Sequence, residues 1–361
     1  MAEIVTGVVA AFAAITDGEF VELTAADSGT TVITITAGTA GKPFTQTSSA
    51  TGLGALVTVT TTANLSKSDV NDADNWSAGT ILAAGEDIYI DDTAVSLLHN
   101  LDAHAAVTVA SMSVFSSFTG TAGLPETNVD GTAYREYRPT YFECGVTLFN
   151  MGDFTGGQGS GRFKWDGKAV LSTINVYSTG ATANPGLPAF IWKGTNASNV
   201  VRVEGGSFGA AIFGGEVATI LTLTVVGGDV LCGPGCTLTT INLSGGDLDT
   251  ASAVGGTATV DGGTWTHRAG NITTLTLNNG KLELRNGAAL TITTTIIGPE
   301  GVLDLTNAIG AVTMTTVTIR PGGTILDPNN RLASTLTYTA QGGPNSVNVI
   351  RGAASATVAL S

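Results

Sequence analysis

The chain has 361 residues, of which 12% are charged and 43% hydrophobic, with 48 glycines and a formal net charge of −14. Only 15 residues are Lys or Arg, and binding to phosphate backbones needs clustered positive charge, so we expect no nucleic-acid partner. Abundant Gly, Thr, Val and Leu suit many short strands joined by tight turns, and we expect very little helix.

The N-terminal run MAEIVTGVVAAFAAI is apolar, but it contains Glu3 and no basic residue. It lacks the basic start of a signal peptide and is too short to span a bilayer, so we predict a buried first strand and no membrane partner. The three cysteines are too few for a disulfide scaffold in a chain of this length, which favours folding in a reducing cytoplasm.

Residues 1–66 are predicted to form a small antiparallel, sandwich-like β domain. Their four alternating segments read EFVELTA, TTVITITA, PFTQTSS and ALVTVTTTA, and turn residues separate them. The polar stretch over 67–78 is rich in Asn and Asp, as linkers are.

Glycine pairs then recur along the chain at a nearly even spacing. A repeat of about 20 residues with two or three short alternating segments has the length of one coil of a β-solenoid. We therefore predict an all-β chain with a parallel β-helix over residues 79–328 and a C-terminal cap or tail over 329–361. The pairs are Gly205-Gly206, Gly227-Gly228, Gly245-Gly246, Gly262-Gly263, Asn279-Gly280, Glu300-Gly301 and Gly322-Gly323.

The β-helix makes two specific structural predictions. Glycines at the coil corners adopt positive φ, and Leu275, Leu277, Leu282 and Leu284 point inward or lie beside inward stacks. The alternative is a set of antiparallel sandwiches with a hairpin at each pair, which explains single pairs but not their even spacing. Antiparallel hairpins at Asn279-Gly280 would contradict the β-helix.

Residues that could bind a metal are scattered. His99 and His104 are five positions apart, an odd separation that puts them on opposite faces of a strand, and His267 is remote in sequence. Cys232 and Cys236 frame CGPGC, which either closes a small disulfide or, as we favour, places two buried thiols at a coil corner. We expect neither a metal nor an organic cofactor.

The acidic residues form pairs but no convergent acid–base cluster. Asp91-Asp92 lie at a strand end, Asp153 and Asp166 flank GGQGSGR, and Asp247 and Asp249 share one strand face. A glycosidase needs two carboxylates across a sugar-sized gap, and aromatic side chains for sugar stacking are scarce. Trp265 is the clearest outward aromatic, with Tyr338 beyond the last regular coil. GQGSGR has no Lys-Ser or Lys-Thr ending and is interpreted as a flexible insertion. We expect no catalytic residue.

The segment GTAYREYRPTYFECG, residues 131–145, is unusually rich in Tyr and Arg for this chain. These residue types are enriched at the centres of protein interfaces, so the segment is a candidate contact patch. The alternative is a long loop folded onto the first coils. The candidate contact residues are Tyr134, Arg135, Tyr137, Arg138 and Tyr141.

Five segments in order resemble a known group of proteins: DADNWSAGTILAAGEDIYIDDTAVSLLHNLD, SFTGTAGLPETN, YREYRPTYFECG, GQGSGRFKWD and IWKGTNASNVVRV. Their order is similar to that in a family of uncharacterised virion-associated proteins of tailed bacteriophages and prophages. The resemblance covers most of the chain and includes no catalytic or ligand signature. It implies a phage structural protein, assembled into the virion in the host cytoplasm.

Three functions remain open at this point. The first, which we favour, is a non-enzymatic capsid decoration (cement) protein, a homotrimer that binds the major capsid protein on the outside of the head shell. The second is a tail-fibre or host-adhesion component. The third is a β-helix polysaccharide lyase or hydrolase.

Overall fold

The computed structural model describes residues 2–15, 23–29, 31–37, 57, 59, 68–123, 140–153, 162–180, 187–332, 336–352 and 356–360. These residues include helix α1 (Ala2–Ala13) and two 3₁₀ turns (Ala73–Asn75, Pro344–Ser346). Their strands are β1 (Leu23–Gly29), β2 (Val32–Ala37), β3 (Asp87–Ile90), β4 (Thr108–Val114), β5 (Phe142–Glu143), β6 (Gly145–Met151), β7 (Phe163–Asp166), β8 (Thr173–Val176), β9 (Phe190–Lys193), β10 (Val200–Val203), β11 (Ser207–Ala210), β12 (Ala218–Val225), β13 (Asp229–Cys232), β14 (Cys236–Leu243), β15 (Asp247–Thr250), β16 (Val254–Val260), β17 (Thr264–His267), β18 (Ile272–Leu284), β19 (Leu290–Asp304), β20 (Val312–Ile319), β21 (Thr324–Asp327), β22 (Leu336–Ala340), β23 (Asn348–Arg351) and β24 (Ala356–Leu360).

The first segment is helical, so the prediction of a buried first strand is wrong. Four of the twelve residues of α1 are alanine, the residue with the highest helix propensity, and Glu3 lies in the first turn, where the helix dipole favours an acid. Helix α1 contacts β1 and β2. Strands β1 and β2 pair antiparallel, with a register shift between Asp27 and Gly29. Most of the other two strand segments predicted within residues 1–66 lies outside the described residues.

Strands β3 to β24 belong to one large sheet in which every strand pair is parallel. The pairs at Asn279-Gly280 and Gly262-Gly263 are not hairpins, because β16, β17, β18 and β19 pair in parallel. The register offset is 18 residues between Thr222 and Thr240 and 17 between Thr257 and Thr274. These offsets equal the local spacing of the glycine pairs, so each pair marks one winding of the chain.

The burial pattern divides each regular repeat of the large sheet into three strand segments. In β12, buried and outward residues alternate up to Ile220, then Leu221 and Thr222 both point outward, and the alternation resumes. Two successive outward residues mark a corner. We call residues 218–220 and their partners face A, residues 222–225 and their partners face B, and residues 229–232 and their partners face C.

The corner between faces B and C is a stack of glycines. Gly206, Gly228, Gly246, Gly263 and Gly280 all have φ between 74° and 82°, as the β-helix predicts. A Cβ on Gly263 would lie 2.4 Å from the carbonyl oxygen of Gly246, and one on Gly246 equally close to Gly228. Successive corners therefore approach too closely for any side chain. Gly301 and Gly323, the next two residues at this position, do not have positive φ, and in the last pair Gly322 has it instead.

The interior is a continuous column of apolar side chains. Leu275, Leu277, Leu282 and Leu284 are fully buried, which confirms their predicted inward orientation. The early windings bury aromatic rings instead. Phe149, for example, stacks on Trp165 with ring centroids 4.5 Å apart.

The parallel pairing extends beyond the boundaries drawn from the sequence. Residues 67–78 were interpreted as a linker, yet Asp69 bridges His99 in parallel and Val70 is fully buried. Strands β22, β23 and β24 lie in the segment predicted as a cap or tail. They pair with β20, β21 and β22, so the same ladders continue past position 328.

The outward residues of face B form two uncharged rows from β12 to β22, which we call the threonine face. Both rows run across seven windings, and every position except Asn242 and Ile296 is a threonine. The first row is Thr222, Thr240, Thr257, Thr274, Thr294, Thr316 and Thr337, and the second is Thr224, Asn242, Thr259, Thr276, Ile296, Thr318 and Thr339.

Candidate functional site: a charged cluster beside the Tyr/Arg segment

Of the five predicted contact residues, one belongs to the described residues and four do not. Tyr134, Arg135, Tyr137 and Arg138 lie outside the described residues. Tyr141 lies inside them and is only 3% exposed. Its hydroxyl donates a hydrogen bond to the carboxylate of Glu216, 75 positions further along the chain. The C-terminal part of the Tyr/Arg segment is therefore held against the large sheet.

A basic residue from a later winding completes the surroundings of Tyr141. The ammonium of Lys193 lies 4.5 Å from the centroid of the Tyr141 ring, within range of a cation–π interaction. The second carboxylate oxygen of Glu216 accepts the backbone N–H of Phe213 at 3.1 Å. Glu216 and Lys193 thus hold the Tyr141 ring, and the backbone N–H of Phe213 helps to hold the Glu216 carboxylate.

Two carboxylates on face C lie directly beneath this contact. Glu143 and Asp166 are register partners on β5 and β7, and Lys168 bonds Glu143 and approaches Asp166 to 3.5 Å. Lys193 reaches Asp166 at 3.4 Å. These charged groups, with Tyr141 and Glu216, form what we call the charged cluster.

The lysines of the charged cluster lie in ion pairs with its carboxylates. Partial burial lowers the pKa of Lys168, but the hydrogen bond to Glu143 and the negative charges of Asp166 and Glu143 outweigh burial and raise it above its usual range. A lysine with a raised pKa stays protonated and cannot accept a proton as a general base. The cluster is therefore suited to hold a loop in place or to make a polar contact.

A second group of ion pairs lies on face C of the later windings. Arg268 donates to both carboxylate oxygens of Asp249, with Nη2 to Oδ2 at 2.5 Å and Nε to Oδ1 at 2.7 Å. Lys281 reaches Asp304 at 2.6 Å. Burial raises the pKa of Asp304, yet hydrogen bonds from Lys281 and Thr306 outweigh it and lower the pKa. Of the acids considered from the sequence, Asp166 and Asp249 are held in ion pairs.

His99 and His104 both contact the segment at Asp69 and Val70, and His267 lies elsewhere in the fold. Buried His104 lies with Nε2 3.1 Å from the carbonyl oxygen of Val70, and His267 is fully buried in β17. Within the described parts of the chain, no three His, Cys, Asp or Glu side chains gather into a possible metal site.

Trp265 is not the outward aromatic that the sequence suggested. It is fully buried, and its indole Nε1 donates to Thr250 Oγ1 at 2.8 Å. The same hydroxyl lies 2.8 Å from Nδ1 of His267, whose Nε2 is 2.9 Å from the carbonyl oxygen of Gly270. Tyr338 is also buried. Neither aromatic offers a platform for a sugar ring.

His267 should make the fold sensitive to mild acid. Burial lowers its pKa below the usual 6.5, although the Gly270 carbonyl and Asp249 partly oppose this. Below pH 6.5, His267 binds a proton in the unfolded chain but not in the folded chain. The free energy of unfolding is therefore highest above pH 6.5 and decreases as the pH falls. We expect His267→Gln to flatten the decrease in unfolding free energy between about pH 6.5 and 5, measured by urea denaturation.

Glu283 and Asp304 have lowered pKa values, so they change the free energy of unfolding only below pH 4.5. That pH range serves as an internal reference for the effect of His267. Acid sensitivity there should be the same in wild type and variant. Identical slopes of the two proteins between pH 6.5 and 5 would show that His267 does not titrate in this way.

The cysteines are buried free thiols. Burial raises the pKa of Cys144 to about 12. A hydrogen bond with Cys236 and burial raise the pKa of Cys232, and Cys236 contacts the carbonyl oxygen of Ala210 at 3.1 Å. The thiol interpretation of CGPGC agrees with this arrangement.

Comparisons with protein-family models, curated proteins and solved structures found no match to this chain. None of the helices in the described ranges is long and apolar enough to span a bilayer.

Proposed function

We propose that the large parallel sheet is a β-helix with three faces per coil and that residues 1–66 form a small antiparallel domain attached to it. Equal register offsets and glycine spacings support the helical winding. The two successive outward residues in β12 support a corner between faces A and B. The β1–β2 hairpin supports the antiparallel domain.

We propose further that the protein is a non-enzymatic structural component of a bacteriophage virion. Within the virion, its proposed place is the outside of the head shell, as a trimeric capsid decoration protein that binds the major capsid protein. The resemblance of five ordered sequence segments to phage virion proteins supports this role. The buried end of the Tyr/Arg segment, held by Glu216 and Lys193, supports a contact patch on a fixed base.

The observation that carries the proposal is the pairing of charges on face C. Glu143, Asp166, Asp249, Glu283 and Asp304 each lie in an ion pair with Lys or Arg. An acid–base pair for glycoside cleavage needs one carboxyl group kept protonated and another left free to act. Matched ion pairs on a regular rod favour contact with other proteins instead.

Binding to isolated head shells tests the proposal. Purified protein should bind shells that lack it and saturate at a copy number set by the capsid lattice. The double variant Tyr137→Ala/Arg138→Ala should weaken binding at least tenfold, while Arg268→Ala, an arginine on the later windings of face C, should bind as wild type does. Circular dichroism checks that each variant is folded.

Other outcomes would contradict the decoration role. Binding to host cells but not to shells would favour an adhesin. Cleavage of host capsule or lipopolysaccharide, abolished by changing a single aspartate, would establish an enzyme. Cryo-EM of the intact virion locates the chain directly and decides between head and tail.

A further inference from the structure

Charge is distributed very unevenly over the outside of the large sheet. The threonine face carries no Asp, Glu, Lys or Arg over seven windings. On face C of the same windings, Asp229, Asp247, Lys281, Glu283 and Asp304 occur among the outward positions. In a chain of net charge −14, one sheet surface has been kept free of charge.

The threonine face is also unusually rigid for a polar surface. Thr is β-branched and restricted at χ1, so little side-chain entropy remains to be lost when such a surface is covered. Each hydroxyl both donates and accepts a hydrogen bond, so a copy of the same face can satisfy it. The ladder brings the same pattern back about every 4.8 Å, which allows two faces to align in register.

The area of face B is sufficient for a stable contact. Up to β22, twelve strands contribute to its ladder, and β24 extends it further; the twelve are β3, β4, β6, β8, β10, β12, β14, β16, β18, β19, β20 and β22. At about 4.8 Å per strand and roughly 3.3 Å per residue over four residues, the ladder covers about 700 Å². A stable interface buries about 800 Å² per partner.

The earlier windings of face B carry two charged outward residues, Asp87 and Arg202. Asp87 accepts a hydrogen bond from the hydroxyl of Ser111. Arg202 is paired with Glu204 at 2.7 Å. Leu148 is among the exposed large apolar side chains and lies in the same ladder. Two strands, β8 and β10, separate Leu148 from the threonine face.

We infer that face B is the surface through which copies of this chain associate, with the threonine face at its centre. The occupant is a second copy of the same chain, because only an uncharged, regularly repeating surface matches it in both chemistry and spacing. This inference rests on the self-association in the proposed function. It leaves the Tyr/Arg segment available for the shell.

Charge substitutions on two faces of neighbouring windings test the inference. Thr259→Lys/Thr276→Lys places two ammonium groups on the threonine face, and Thr264→Lys/Thr266→Lys places two on face C. In sedimentation velocity at micromolar concentration, wild type and the face C variant should be oligomeric. The face B variant should be monomeric, with its dissociation constant raised at least a hundredfold. Dissociation of both variants alike, or a monomeric wild type, would overturn the inference.

Cross-linking gives a second readout that does not depend on tolerance of lysine. Because Cys144, Cys232 and Cys236 are buried, Thr276→Cys introduces an accessible thiol. A short bis-maleimide should join two Thr276→Cys copies covalently and leave Thr266→Cys without a cross-link, and the reverse result would contradict the inference. If wild type self-associates through face B but does not bind shells, the virion role fails and the interface stands. If the face B variant is monomeric yet still binds shells, the virion role stands without the trimer.

Discussion

Replacing Trp265 by alanine should lower the free energy of unfolding by about 3–5 kcal/mol, the usual cost of removing a large buried aromatic side chain. Trp265 is fully buried between register partners Leu248 and Leu282. Neighbouring windings stack directly above and below it, so the structure cannot easily collapse into the cavity. Urea denaturation followed by circular dichroism measures the effect.

The loss of Trp265 also breaks a buried chain of hydrogen bonds. Its Nε1 is a partner of Thr250 Oγ1, which in turn contacts His267. Trp265→Phe keeps a six-membered aromatic ring but removes the indole Nε1 donor. It should therefore also lower the free energy of unfolding, by about 1–3 kcal/mol. The neighbouring outward residue provides the control, and Thr266→Ala should change stability by less than about 0.5 kcal/mol. Equal effects of Trp265→Ala and Thr266→Ala would show that β17 does not face inward as described.

Much of the parallel sheet followed from the spacing of the glycine pairs. Because a parallel ladder repeats the backbone once per winding, the separation of Gly245 and Gly262 equals the register offset between neighbouring strands. Corner glycines must recur at that offset. The inward leucines followed from alternation about the same corners.

The orientation of Trp265 could have been found from the same register. Aligning TWTH with the strands one winding before and after pairs Trp265 with Leu248 and Leu282, both at inward positions. Alternation within four residues does not fix which side chains face inward. The outward orientation predicted for Trp265 is therefore wrong. Comparison across windings resolves the ambiguity that a single strand leaves.

A repeated motif also pointed to the charged cluster and was missed. FKWD and FIWK are 27 positions apart and pair as Phe163 with Phe190 and Asp166 with Lys193. Read as adjacent strands, they bring Asp166 and Lys193 together. No local pattern predicts Glu216, because the contact with Tyr141 spans 75 residues and depends on how intervening windings stack.

The helix at the N-terminus shows a different limit. An apolar run of about a dozen residues fits a buried strand or a helix equally well, and periodicity alone does not distinguish them. Its exposed Ile4 and Val8, with Val5 buried, show that one side of α1 faces the β1–β2 hairpin region. Packing against the β1–β2 hairpin favours the helix over a strand, and the apolar run alone does not reveal this packing.

The substitution Gly263→Ala should destabilise the fold by about 2–5 kcal/mol, although it adds only one methyl group. Gly263 has φ of 75°, and this left-handed conformation costs an alanine about 1–2 kcal/mol. The new Cβ would lie 2.4 Å from the carbonyl oxygen of Gly246, which accepts the N–H of Thr264 at 3.0 Å. Displacing that carbonyl weakens a bond between windings at a further cost of about 1–3 kcal/mol.

Gly255→Ala is the matched control for this corner. Gly255 lies in β16 without positive φ, and the nearest atom to its added Cβ is 3.8 Å away. Alanine there should change stability by less than about 0.5 kcal/mol or raise it slightly, because it restricts the unfolded chain. Solenoids need not unfold in two states, so hydrogen exchange at the amides of Thr264 and Lys281, which bond to the Gly246 and Gly263 carbonyls, gives the local measurement. Protection there should fall in Gly263→Ala and be retained in Gly255→Ala. If Gly263→Ala exchanges as slowly as wild type, the corners are not a close-packed stack.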